Sequence, residues 1–271
     1  MAIRGIAETI ETNIPTVLRN IAWIGETCLR FHDQHARNLG CQFIECDELT
    51  SIIYAKDENL PEGLKGLPEY GDMWTYCAID SDSRFMITWK IGKHLRAHVQ
   101  VFTDDIASRI PGRVQIHSDQ LALYRPAFES SFGDRADYAT TRKTMSGPVI
   151  GLDGRYEQPD LTESRVRSEF GEPDLEEVTT NHVERQNATL RGWNKAYTRR
   201  TLAFSRKPSN AEKRLAVNYF YYNFIHQHRS LDGITAGMAA GVTDRLWSIR
   251  DLVRLTRADR AKAKAEKKTE D

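Results

Sequence analysis

CQFIECDELTSIIYA (41–55), DMWTYCAID (72–80) and RFMITWKIG (84–92) are three runs in which apolar residues recur with a period near two. They are rich in Ile, Phe, Trp, Tyr and Thr, which suit a pleated, half-buried surface, so each predicts a strand. Ser81-Asp82-Ser83 between the second and third predicts a hairpin turn. Toward the C-terminus the period changes. Leu95, Val99, Phe102 and Ile106 fall on one stripe of a helix over 94–109, which Pro111-Gly112 ends. RVQIHSD (113–119) then reads as a short buried strand, and 121–132 as helix again. Three antiparallel strands, a helix, a parallel-type strand and further helices predict an α/β fold of layered order: a mixed sheet flanked by helices.

Toward the N-terminus, Ile6, Ile10, Ile14, Val17, Leu18 and Ile21 recur at three- and four-residue steps, broken at Asn13-Ile14-Pro15. Residues 1–40 therefore read as helix, short turn, helix, with Pro15 or Thr16 opening the second. This is the outline of a helix-turn-helix, whose second helix would present Thr16, Arg19 and Asn20 to a DNA groove, an outline that ordinary helical hairpins share. Residues 145–178, rich in Gly, Pro and acids, predict an irregular insertion within a domain over 41–228. Helical periods resume over 181–200 and 211–228, and 229–271 reads as a C-terminal helical extension with a charged, frayed basic tail after Asp259.

The 271 residues carry no formal net charge, but the charges are segregated. Ten acids face two bases over 45–82, ten acids three bases over 153–184, nine bases one acid over 185–214, and nine bases five acids from 245 onward. Such blocks suit an acidic metal pocket beside a surface that follows phosphates, although solvated helix faces carry charge runs too. Cys28, Cys41, Cys46 and Cys77 form no C-x-x-C pair, which predicts reduced, buried thiols in an intracellular protein. No run of eighteen apolar residues is present, and the first residues do not read as a secretory signal.

Three carboxylates stand where chemistry is expected. Asp47 sits in the middle of an apolar strand, where a charge without a partner or cation has a desolvation cost. A register shift of one would make Glu48 or Glu45 the pocket-facing acid instead. Asp119 ends a strand at the carboxyl edge where α/β sheets hold ligands, or else caps a helix starting at Gln120. Glu184 lies in the first turn of a helix beginning near Asn181. It shares a face with Asn187 and Arg191 at i, i+3 and i+7, or else forms a capping box with Asn181. Asp80 is a distant fourth candidate that turn chemistry explains. Cys28, His32, His35 and Cys41 match no standard zinc spacing.

ECDELTS (45–51), WTYCAIDSDSRFMITWKIG (74–92), HSDQLALY (117–124), HVERQNATLRGWNKAYTRRTLAFSRK (182–207) and the segment from Tyr219 to Val253 resemble transposases of the insertion-sequence-one (IS-one) family. The resemblance covers about residues 6–255. It implies an RNase H-like fold and an aspartate–aspartate–glutamate triad at Asp47, Asp119 and Glu184, with gaps of seventy-one and sixty-four residues. It implies two Mg²⁺ (or Mn²⁺) ions and 3′-end cleavage with strand transfer. The partners it implies are DNA, as terminal inverted repeats and target, and a second copy of the chain, in a cytoplasmic, nucleoid-associated prokaryotic protein without a membrane segment. Arg191 takes the basic position two turns after the glutamate. Thr16, Arg19, Arg185, Asn187, Arg191, Arg199, Arg200 and Lys207 are the expected DNA contacts. Two departures stand out: family members typically carry a tryptophan where this chain has Thr50, and many carry an N-terminal zinc ribbon not found among these residues.

Overall fold

The computed structural model describes residues 3–147, 160–198 and 201–270, with side chains through 266. Its centre is a six-stranded mixed sheet: β1 (Phe43–Ile53), β2 (Gly71–Asp80), β3 (Met86–Gly92), β4 (Val114–Asp119), β5 (Ala136–Ser146) and β6 (Asp160–Phe170). The spatial order is β3-β2-β1-β4-β5-β6. The first three strands are antiparallel neighbours, β1, β4 and β5 run parallel, and β6 returns antiparallel to β5. The helices are α1 (Ile3–Thr9), α2 (Ile14–His35), α3 (Arg96–Arg109), α4 (Tyr124–Phe132), α5 (Asn181–Trp193), α6 (Pro208–Phe220), α7 (Ala236–Ala239) and α8 (Ile249–Glu270). This is a mixed α/β fold with helices flanking the sheet, an arrangement compatible with the RNase H-like fold.

The three strand runs fold as the alternation predicts. Asp80 shapes the turn between β2 and β3 by accepting the Ser83 amide (3.2 Å), and Arg84 takes a left-handed φ of 61°. The predicted stripe of α3 packs inward through Val99, Phe102 and Ile106, whereas Leu95, the N-cap, stays about half exposed. α3 and α4 cover one face of the sheet; α5 and α6 cover the other, and α2 packs on α6. Gly25, midway along α2, permits that approach: a Cβ there would lie 2.2 Å from the Lys213 carbonyl oxygen.

The helix break also falls as predicted. Asn13 caps α2 by accepting from the Thr16 amide (2.8 Å), with Pro15 in the first turn. α2 then runs for 22 residues and buries Cys28, Phe31 and His32 in the same apolar core as the sheet. All four cysteines are reduced and buried. His32 and His35 bond to the carbonyls of Ile87 and Phe31 (both 2.8 Å). Among the described residues, no helix is long and apolar enough to cross a membrane.

Two expectations are corrected. The predicted irregular insertion contains the second strand of a β-hairpin: β6 pairs with β5 from Tyr138↔Phe170 to Ser146↔Asp160, and 148–159 lie outside the described residues. β6 carries almost no buried side chain, so its strand character lies in backbone pairing and leaves no apolar alternation to read. A charged edge strand of this kind discourages pairing with other chains. The tail after Asp259 is helical to Glu270 rather than frayed, in keeping with its Ala- and Lys-rich composition.

A candidate acidic site on the α5 face of the sheet

Side chains of a strand alternate between faces, so β1 sends Glu45 and Asp47 to one side and Glu48 to the other. Register then fixes the neighbours. Glu45 pairs with His117 and Cys46 with Ser118 on β4, and one further step sets Asp47 beside Asp119. Asp119 is paired in turn with Thr141 on β5, which places Lys143 two residues along the same face. α5 lies over this face and carries Glu184 in its first turn. The topology thus brings Asp47, Asp119 and Glu184 to one face of the sheet from segments far apart in the chain.

The electrostatics agree. Burial, together with the charges of Asp119 and Glu184, raises the Asp47 carboxyl to about 6 against the pull of its hydrogen bonds. Asp119 is raised by burial and by Glu184, and lowered by the Lys143 ammonium. Repulsion between buried carboxylates is relieved when a cation binds beside them. The Asp119 Oδ1 and Asn187 Oδ1 atoms are buried and have no hydrogen-bond donor, so acceptors remain free for a hard cation. Carboxylate and amide oxygens of this kind are the donor type that Mg²⁺ or Mn²⁺ takes. The three carboxylates are not drawn to a single point, and among the described residues no group of three metal-ligating side chains is assembled. The Asp47 Oδ2 atom accepts from Asn187 Nδ2 (2.7 Å), while Glu184 is turned toward Lys143 Nζ and the Thr180 hydroxyl (2.9 Å).

The alternative readings of these acids resolve differently. Asp119 does not cap a helix at Gln120, because α4 begins at Tyr124 with Leu123 as its N-cap. Glu184 is not paired with Asn181: Thr180 is the N-cap of α5, and it is the Thr180 hydroxyl that donates to Glu184. Asp80 stays at its turn, bonded to Ser83.

Glu45, which the sequence offers only as a register alternative, has a distinct place. Its side chain is fully buried. It accepts from the backbone amides of His182 (2.8 Å) and Val183 (3.0 Å), from Ser81 Oγ (3.0 Å), and from His182 Nδ1. The first amides of a helix have no partner within it and carry the positive end of the dipole. Glu45 supplies that partner from the sheet and so anchors the turn that carries Glu184. Burial alone would raise the Glu45 carboxyl, but the bonds from His182 and Val183 outweigh it and hold the carboxyl below its ordinary value. The segment entering α5 is tied to β4 as well, by Gln115 bonded to Asp174 in both directions (2.7 and 2.8 Å). A strand acid spaced by two from Asp47 was the available signal.

Glu48 faces α4, where the Tyr124 hydroxyl donates to it (3.3 Å). Burial, then the charges of Asp47 and Asp119, push its carboxyl up to about 8. A folded-state value above the unfolded one, about 4.5, means that the fold holds a proton which the unfolded chain gives up. Stability from this group is therefore lost as pH rises from about 4.5 toward 8. In EDTA, Glu48→Gln is expected to match the parent near pH 4.5 and exceed it by about 1–3 kcal/mol at pH 8.5. Parallel thermal-stability profiles for the two proteins would exclude the effect.

Of the expected DNA contacts, Arg19, Arg185 and Lys207 are exposed, and Thr16 and Arg191 are partly so. Asn187 is only 1 % exposed and spends its amide on Asp47, so it supports the acid from behind rather than facing outward. Arg199 and Arg200 lie outside the described residues. No protein-family model matches this chain, and no curated protein matches it significantly.

Proposed function

We propose that this chain is a DNA transposase of RNase H-like fold that uses Asp47, Asp119 and Glu184 to cleave the 3′ strand at the ends of an insertion sequence and join it to target DNA. The observation that carries the reading is the placement of Asp47 and Asp119 on adjacent parallel strands beneath the helix bearing Glu184, with the charges of Asp119 and Glu184 raising the Asp47 carboxyl. Those three residues would hold divalent ions, Mg²⁺ or Mn²⁺. When bound, such a pair activates an attacking oxygen and stabilises a leaving one in an in-line displacement at phosphorus.

The chain's own residues do the positioning. Asn187 orients Asp47, Glu45 seats α5, and the exposed bases Arg185, Lys195, Arg206 and Lys207 follow the DNA backbone. The reaction is hydrolysis of one phosphodiester, followed by attack of the freed 3′-hydroxyl on a target phosphodiester with departure of its 3′ oxygen. No covalent protein intermediate is involved. The segment α1–α2, with Thr16 and Arg19 at the start of its second helix, is the candidate reader of terminal repeats. A second copy of the chain would serve the paired end.

The direct test incubates the full chain and Mg²⁺ with DNA carrying the inverted repeats that bracket its reading frame, together with a target plasmid. The expected products are 3′-hydroxyl ends at the repeat boundary and joined target molecules. Cleavage that ignores the repeats would make this a general nuclease, and absence of divalent-dependent cleavage would overturn the reading. For the basic surface, Arg185→Ala with Arg191→Ala is expected to flatten the slope of log K against log salt by about two units, one phosphate each. An unchanged slope would remove both arginines from the DNA path.

A further inference from the structure

Lys143 sits in a place that the catalytic reading leaves unexplained. It lies on β5, on the same face as Asp119 and two residues beyond Thr141, the register partner of Asp119. Its ammonium makes an ion pair with Glu184 and donates to Thr180 Oγ1 (3.0 Å), while the Thr180 hydroxyl donates to the same oxygen of Glu184 (2.9 Å). The lysine side chain is 27 % exposed and that of Glu184 43 %. The pair therefore sits at the rim of the acidic pocket, where water and small ions enter. Asp119 also feels this positive charge, which lowers its carboxyl against the effect of burial. Its neighbour Arg142 is exposed and paired in register with Arg165 on β6, with its side chain on the opposite face of the strand.

We propose that Lys143 is a built-in counter-ion that holds Glu184 in a withdrawn position and competes with a divalent cation for its carboxylate. The inference rests on the acidic triad as a metal site and adds a step to it: loading requires exchange of the ammonium for the metal at Glu184. The exchange is an ion-for-ion substitution without bond making. The Lys143–Glu184 pair would open, freeing the Glu184 carboxylate to act as a ligand alongside Asp47 and Asp119, and the released ammonium would remain at the pocket rim. There it is placed to meet a phosphate oxygen of bound DNA, since a lysine acts on phosphate as a mobile point charge. The device also offsets part of the repulsion that Asp119 feels from Glu184 before metal enters.

The test measures Mn²⁺ binding by calorimetry on the full chain, with Lys143→Met and, as a control of equal charge loss, Arg142→Met. A partly exposed ion pair contributes modestly, so Lys143→Met is expected to bind Mn²⁺ about two- to fivefold more tightly, and Arg142→Met less than half as much. Without metal, Lys143→Met is expected to melt below the parent, and the rise in melting temperature on adding Mn²⁺ is expected to be larger. Equal affinities for the two variants would reduce Lys143 to part of the general field, and tighter binding by the parent would make it a helper of metal binding; either overturns the proposal. A parent chain that takes up no Mn²⁺ would sink the metal site itself, which separates failure of the catalytic reading from failure of this one.

Discussion

Asp119→Asn is expected to lower strand cleavage and joining by on the order of 10³-fold or more while leaving binding to terminal-repeat DNA intact. The substitution keeps the shape of the side chain and removes one charge from a pocket in which burial and Glu184 already work against ionisation. Loss of that charge relieves repulsion on Asp47 and removes an attraction for Lys143, two effects of opposite sign. The fold should therefore hold within about 1 kcal/mol of the parent. The decisive comparison sets cleavage rate against repeat-DNA affinity and melting temperature measured on the same preparations. A variant that cuts at the parental rate removes Asp119 from the chemistry. One that loses activity only by unfolding says nothing for catalysis, and the melting curve distinguishes the two.

The second large effect concerns a residue with no part in the reaction. Glu45→Ala strips the partner from two helix-terminal amides, a serine hydroxyl and His182, all around a fully buried position. Breaking a buried, charged hydrogen-bond network from one side leaves the other donors unsatisfied and typically costs about 3–5 kcal/mol. Glu45→Gln, which keeps the volume but offers one acceptor oxygen in place of two, is expected to lose about 1–3 kcal/mol. Because the folded-state value lies below the ordinary one, the stabilisation is present above about pH 4.5 and fades as pH falls through the folded value. Urea unfolding at pH 7 and pH 4 measures both the size and the sign. The melt of α5 would also free Glu184, so metal affinity should fall together with stability in Glu45→Ala. A loss under 1 kcal/mol, with metal affinity unchanged, would show that α5 is seated by its apolar contacts through Val183 and Leu190 alone.

The sequence reached the elements whose burial leaves a periodic trace. β1, β2 and β3 announce themselves because one or both faces are apolar, and the α3 stripe and the Asn13-Pro15 helix start are local signals that need no tertiary information. The same reading placed Asp47 within a strand, Asp119 at a strand end and Glu184 in a first helical turn. Strand β6 escaped it because an edge strand with both faces in solvent has no pattern to betray it. Nor can any local window say which face of β1 meets α5. That depends on the pairing of Glu45 with His117 and of Cys46 with Ser118, contacts between residues some seventy positions apart.

What the chain determines by itself is therefore a set of strands, helices and acids in a particular order, since periodicity and capping are properties of neighbouring residues. Only the tertiary fold decided that Glu45 serves the helix and Glu48 the opposite layer, that Asn187 stands behind Asp47, and that Lys143 faces Glu184. Those assignments follow from strand register and from the direction each side chain takes out of the sheet, quantities that exist only once distant segments have been brought together.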